Sequence, residues 1–452
     1  MRPRPSSPDR ARTTPMKLML SPLRAALAGL LLAAATLPAA ATTIDRVVSP
    51  GGIEAWLVED HTVPAVTMSF SFDGGAAQDP DGKAGLASLL GEMLTEGAGP
   101  YDAPGFKTAL ADRSIQLGFS TSQDYSGGKL KTLTTEREAA FELLRLALAE
   151  PLLAQGDLDR IKAGRMADLN FQENDPGTIA DDRWSAAAFP GHPYGRPSIG
   201  TKDSVAAIGT ADLQDLRRRL FARDGLRLAV VGDIDAATLG SALDRIFGGL
   251  PAQGDRTPVP EIEIAAKGTE TVPMAVSQAS IQLGFPSPRR DDPDYFPAIV
   301  MNHILGGSTF TSRLYRAVRE QRGLAYSVDS DTIQLRHAGL LLITAGTRVD
   351  KAGESLSVIQ DEIARLAKDG PTDQEVAEAK SYLIGSYPLG FASHDSLAAY
   401  VLSLQLAGRG RDFIDQYPGL IGAVTPAQVK AVAARVLQVK DPTAVVAGTP
   451  AS

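Results

Sequence analysis

Arg319 and Tyr326 are the side chains in this sequence whose types and spacing could bring a cation and a phenol into one cleft. A guanidinium presents a planar fork of donors to carbonyl oxygens, and a phenolic hydroxyl can donate to the oxyanion of a tetrahedral intermediate. The two residues flank a corner. An apolar helical pattern (Ala298, Val300, Met301, Ile304, Leu305) runs into Gly306-Gly307, a natural helix stop. A polar turn leads to a second amphipathic helix with Leu314, Tyr315 and Val318, which ends in Arg319-Glu-Gln-Arg-Gly323. From Leu324 an alternating strand runs through Tyr326 and Val328. Both side chains can then point into one cleft. The plainer alternative is a structural corner, with Arg319 in a surface ion pair and Tyr326 filling core.

Gly306-Gly-Ser308, Ser312-Arg-Leu314, Val318-Arg-Glu320 and Arg322-Gly-Leu-Ala-Tyr-Ser-Val328 occur together and in this order. The stretch resembles the C-terminal-half signature of the insulinase/pitrilysin-type metallopeptidases, the inverzincins. The resemblance extends over essentially the whole chain after residue 41. It implies a clamshell fold, with Arg319 and Tyr326 binding the substrate backbone near the scissile bond.

Active members of that family carry His-x-x-Glu-His on the first long helix. The two His bind zinc, the Glu acts as general base, and a further Glu roughly 76 residues on completes the ligands. The context here is intact, from Gly82-Lys-Ala-Gly-Leu-Ala87 to Met93-Leu94 and Glu96-Gly97. The motif itself reads Ser88-Leu-Leu-Gly91-Glu92, and Asp168 stands at the third-ligand position. Both imidazoles and the base are gone. A hydroxyl and two carboxylates lack the nitrogen or sulfur donor that zinc sites use, so no metal is expected here. His61, His192, His303, His337 and His394 show no pair at ligand spacing and are expected in packing or loops. The absence of cysteine excludes disulfides, thiolate zinc sites and a cysteine nucleophile. No nucleophile elbow, phosphate loop or nucleotide fingerprint occurs.

Met16-Lys17 and Arg24, an apolar run from Ala25 to Ala35, and Ala39-Ala-Ala41 read as a cleaved secretory signal over residues 1–41, with Met16 the expected initiator. Without that segment, which holds six Lys/Arg and one Asp, 39 basic and 52 acidic residues remain, net −13. This balance argues against nucleic acid and anionic membrane as partners. No later stretch is apolar enough to span a bilayer. A periplasmic or secreted protein is expected.

The rest is one domain written twice. Asp79-Pro-Asp81 recurs as Asp292-Pro-Asp294, Thr210 as Thr425, and Leu228-Ala-Val-Val-Gly232 as Ala444-Val-Val-Ala-Gly448, a repeat of roughly 210 residues. Pro251, Gly254, Pro258 and Pro260 mark the joint. The expectation is an α+β protein of two homologous domains, each an antiparallel sheet with helices packed on one face. The N-terminal domain covers 42–250, a linker 251–270 and the C-terminal domain 271–452. The leading functional reading is a non-catalytic subunit of a two-chain zinc peptidase. It would need no cofactor itself and would lend Arg319 and Tyr326 to peptide at the zinc site of a homologous partner. A peptide-binding or scaffold protein without a protease partner is the alternative. A third reading, an autonomous peptidase, would require Glu92 and Asp168 to hold a metal.

Overall fold

Runs of alternating apolar residues build two sheets of the same connectivity. The computed structural model describes residues 43–308 and 310–449; the expected signal segment 1–41 lies outside them. The first sheet takes β1 (Asp45–Val48), β2 (Glu54–Glu59), β3 (Ala65–Asp73), β4 (Gln116–Thr121), β5 (Tyr125–Leu133) and β6 (Leu226–Gly232) in the order β1-β2-β6-β3-β5-β4. The second takes β7 (Thr269–Pro273), β8 (Gln278–Pro286), β9 (Ala325–Gln334), β10 (Gly339–Arg348) and β11 (Ala444–Thr449) in the order β7-β11-β8-β10-β9. Apart from β1 the two orders correspond strand for strand, as a duplication requires. Each sheet has a parallel pair at the equivalent place, β2 with β6 and β7 with β11. The remaining pairs among the described strands are antiparallel.

Period-2 patterning decides which face is core. Val66, Met68, Phe70 and Phe72 of β3 join the first core, and Ala279, Ile281, Leu283 and Phe285 of β8 join the second. Helices of the same half cover these faces, as expected for an α+β fold. The opposite face of each sheet receives a helix from the other half, a feature beyond that expectation. Helix Pro176–Ala188 crosses onto β8 and β11. Its Trp184 is 2% exposed and donates from Nε1 to the Thr443 carbonyl oxygen at 3.0 Å. A Cβ at Gly284 would come within 2.0 Å of the Trp184 ring, so the close approach requires glycine there.

Helix His394–Leu406 makes the reciprocal crossing, onto β6 and β3. Leu397, Ala398, Val401 and Leu404 form one cluster with Trp56, Val58, Ala229 and Val231. At its first turn Asp395 accepts from Thr67 Oγ1 at 3.1 Å and Lys129 Nζ at 2.7 Å, with Lys131 Nζ at 3.0 Å. Between the sheets, residues 251–268 run extended without helix or strand. They are tied down along the way: Gln78 and Thr257 exchange two hydrogen bonds of 2.8 Å, and Ala265 N–H reaches the Ala188 carbonyl oxygen at 2.9 Å.

Local expectations failed where a glycine or threonine had two possible uses. The β4–β5 hairpin turns at Ser122–Asp124, whereas Ser126-Gly127-Gly128 reads in sequence as its turn. Those glycines lie inside β5, where a Cβ on Gly127 would meet the Phe70 carbonyl oxygen at 2.1 Å. Thr135 and Glu138, whose spacing reads in sequence as a capping box, form none; helix Arg137–Ala149 follows a tight turn at Thr134–Glu136 and has no side-chain cap.

The degenerate metal motif and the arginine–tyrosine corner

Asp79 starts the motif helix, Leu86–Met93. Its buried carboxylate accepts from Gly85 N–H at 2.8 Å and Ala87 N–H at 2.9 Å. Leu86, Leu89, Leu90 and Met93 face the core, which leaves Ser88, Gly91 and Glu92 on the other side. Here the structure supplies a residue that the sequence reading missed. Arg165, on helix Gln155–Gln172, is 8% exposed. Its Nη2 donates to Ser88 Oγ at 3.1 Å and to Glu92 Oε1, while Nη1 donates to the Ile199 carbonyl oxygen at 2.7 Å. A sequence signal existed, since Leu158, Ile161, Arg165 and Leu169 follow helical spacing and only the third is charged.

Asp168, one turn along the same helix, is exposed and has no hydrogen bond or ion pair among the described residues. The four positions of the degenerate motif are therefore not gathered into one donor set. Ser88 and Glu92 are joined through a guanidinium, Gly91 has no side chain, and Asp168 takes no part in that network. A guanidinium does not deprotonate in proteins, so it places a permanent positive charge beside the Ser88 hydroxyl and the Glu92 carboxylate. These residues do not fit zinc. Among the described residues no group of three His, Cys, Asp or Glu is arranged to hold a metal ion.

The histidines are spread over both halves. His61 lies 2.5 Å from Asp233 and 3.1 Å from Glu59. His192 accepts from Tyr194 N–H at 3.2 Å and reaches the Pro260 carbonyl oxygen at 3.0 Å. His303 stacks on Tyr382 at 4.9 Å, His337 pairs with Glu261 at 2.9 Å, and His394 with Asp60 at 3.0 Å. Packing and loop fastening account for them.

The repeat carries the motif helix onto helix Tyr295–Asn302 of the second half, which widens into a π-type turn at His303–Gly307. A second π-type turn, Tyr315–Glu320, carries Arg319. Such wide turns recur at functional sites because they displace side chains from the regular helical rows. The Arg319 guanidinium lies over the Tyr315 ring, 5.2 Å from its centroid, and has no carboxylate partner among the described residues. The surface ion pair allowed by the plainer reading is therefore not formed with them.

Tyr326 departs from its expected pattern. Ser327 pairs with Gly346 and Ala325 with Thr347, so Tyr326 is the extra residue of a β-bulge in edge strand β9. The bulge breaks the alternation anticipated from Leu324 through Val328, and Tyr326 turns outward, 53% exposed. It does not fill core. Beside it a cavity of about 450 Å³ is lined by Arg319, Tyr315, Asn302, Gly306-Gly307 and residues 327–331. Arg319 forms part of this wall, and Tyr326 stands next to the cavity rather than in its lining. Burial pushes the Asp329 carboxyl up, with the Thr344 hydrogen bond acting against it. An arginine fork and an exposed phenol at a sheet edge can engage peptide carbonyls.

Residues 55–202 match the family described as insulinase (peptidase family M16), and residues 207–383 match the family's partner description, peptidase M16 inactive domain. The chain belongs to peptidase family M16. Within it, a non-peptidase homolog, YmxG, of Helicobacter pylori is 29% identical over 337 residues, covering 73% of this chain and 77% of that protein. An uncharacterized zinc protease of Streptomyces coelicolor is 27% identical over 405 residues, 87% of each chain. The solved peptidase M16 inactive domain from Pseudomonas fluorescens superposes with a TM-score of 0.85 at 26% identity, covering 91% of this chain and 98% of the other. The M16 likeness carries the two-domain clamshell fold with it. With the motif replaced and Arg165 inside it, this chain is a non-catalytic, peptidase-like member of M16.

Proposed function

We propose that this chain is the non-catalytic subunit of a two-chain M16 peptidase, exported to the periplasm, that holds peptide through Arg319 and Tyr326 at the zinc site of a homologous partner. The observation that carries this reading is a contrast between the degenerate motif of the first half and the Arg319–Tyr326 corner of the second. In the first, Arg165 occupies the motif and engages both Ser88 and Glu92. In the second, Arg319 has no carboxylate partner and Tyr326 is turned outward by a bulge, although neither state is needed to hold a structural corner together. Zinc, and the base that activates water, belong to the partner; this chain's residues bind and orient the peptide.

Co-purification from the periplasm, followed by assay of the mixed enzyme, tests the proposal. Tyr326→Phe keeps the ring and removes the hydroxyl, and is expected to lower turnover on the order of ten- to a thousand-fold with assembly unchanged. Arg319→Ala is expected to weaken peptide binding as well. Full activity in both variants would favour the second reading, a peptide-binding scaffold without a protease role. The relative named as a non-peptidase homolog is consistent with that reading.

A further inference from the structure

A cavity of about 270 Å³ opens where helix Tyr295–Asn302, the turn Tyr387–Phe391, helix His394–Leu406 and helix Phe413–Ala423 meet. It shares no lining residue with the Arg319 cavity. Its walls are aromatic: Tyr387 and Tyr417 stack at 4.1 Å, and Phe296 and Phe413 at 6.3 Å. The Arg409 guanidinium lies 5.1 Å from the Phe413 ring centroid, 5.8 Å from Tyr295 and 5.9 Å from Phe296. One of its nitrogens donates to the Arg290 carbonyl oxygen. Arg290 is also among the lining residues, and its side chain makes no hydrogen bond or ion pair among the described residues. Arg409 likewise has no carboxylate partner among them. In a chain with 53 acidic and 45 basic residues, two arginines at one cavity without a carboxylate in hydrogen-bond or ion-pair contact among the described residues favour an anion at the aromatic wall.

We propose that this cavity binds an aromatic carboxylate, with the ring among the aromatic walls and the carboxylate on Arg290 and Arg409. The volume falls just below the range of about 300–1,000 Å³ typical of drug-sized ligands, which suits a single ring and excludes a dinucleotide or a helix. The three rings beneath Arg409 hold its fork in place, so little freedom is lost when a carboxylate arrives. Burial raises the phenolic pKa of Tyr417 to about 12 and raises that of Tyr400 too. Their hydroxyls therefore stay neutral and do not repel an anion. The same chemistry is offered by a free arylacetic acid and by the C-terminal aromatic residue of a peptide.

The test is titration of the mature chain with phenylacetate, N-acetylphenylalanine and N-acetylphenylalanine amide, followed by ligand-observed NMR and calorimetry. The acids are expected to bind with sub-millimolar Kd and the amide at least about tenfold more weakly. Tighter binding of phenylacetate identifies a free acid as the source, and tighter binding of N-acetylphenylalanine a peptide terminus. Arg290→Gln, which breaks no contact among the described residues, should weaken both acids by about tenfold with an unchanged melting temperature. The proposal is overturned if neither acid binds at millimolar concentration, if the amide binds as well as its acid, or if Arg290→Gln leaves affinity unaltered.

Discussion

Arg165 and Glu92, on different helices, are bonded to each other within the very motif where the family's active members hold zinc. A guanidinium thereby cross-links the two helices that a metal would otherwise join. The link is pH-insensitive on the arginine side and needs no ion from the medium.

Restoring the motif should therefore fail while Arg165 remains. A Cβ on Gly91 would meet only Phe119 Cβ and Thr121 Oγ1, both at 3.7 Å, so Gly91→Glu has room. The set Ser88→His, Gly91→Glu, Glu92→His and Asp168→Glu is expected to bind no stoichiometric zinc by elemental analysis. Adding Arg165→Gln removes the resident cation and should bring zinc to about one per chain. Zinc binding by the first set alone would show that the guanidinium does not block the site.

Removing the counter-charge should expose the strain of a buried arginine. Glu92→Gln leaves Arg165 with only neutral partners, and a loss of about 1–2 kcal/mol is expected in chemical denaturation. The estimate sits at the low end because the Glu92 side chain remains 45% exposed. Arg165→Met, which removes the charge and keeps an apolar stem, should cost less.

The crossing of Trp184 beneath the second sheet predicts two unequal defects. Trp184→Ala opens a cavity and leaves the Thr443 carbonyl oxygen with Gly284 N–H as its one remaining donor among the described residues, at about 3–5 kcal/mol. Gly284→Ala drives a methyl into the indole and should cost about 1–3 kcal/mol by overpacking. Thermal and urea denaturation would measure both, and a silent Gly284→Ala would mean that the helix can shift away.

Acid should loosen the other crossing. Burial alone would raise the Asp395 carboxyl, but hydrogen bonds from Lys129, Lys131 and Thr67 outweigh it and hold it at about 2, below its ordinary 3.8. A carboxyl depressed in the folded state stabilises fully above the unfolded value, and the contribution fades as pH falls from near 4 through about 2. The stability gap between the native chain and Asp395→Asn should accordingly close over that window. A gap that stays constant from pH 5 to pH 2 would refute the assignment.

The internal repeat and the loss of the zinc motif were legible in the sequence because both are written in fixed offsets. The helical setting of Ser88, Gly91 and Glu92 was legible for the same reason. Arg165 was overlooked because a lone charge on an apolar stripe reads as noise until its partner's position is known. The exposure of Tyr326 depends on a bulge, and a bulge is a mismatch between two strands that neither strand's pattern reveals alone. Trp184 could be read as core, but not as the core of the other half. Its helix carries Ala180, Trp184 and Ala188 at four-residue spacing, which names a buried face without naming the sheet that buries it.

Each half lends the other a helix, so a cut in the segment 251–268 would not release two self-sufficient pieces. Severed halves would each display a bare apolar sheet face and an unhoused helix, and would re-pair with one another or with copies of themselves. A symmetric dimer exchanging that helix is the arrangement a single-copy ancestor of this repeat would have needed. Gene fusion would then have turned a concentration-dependent association into an intramolecular one. Residues 43–252 and 253–449 produced as separate polypeptides should thus be soluble together and aggregate apart.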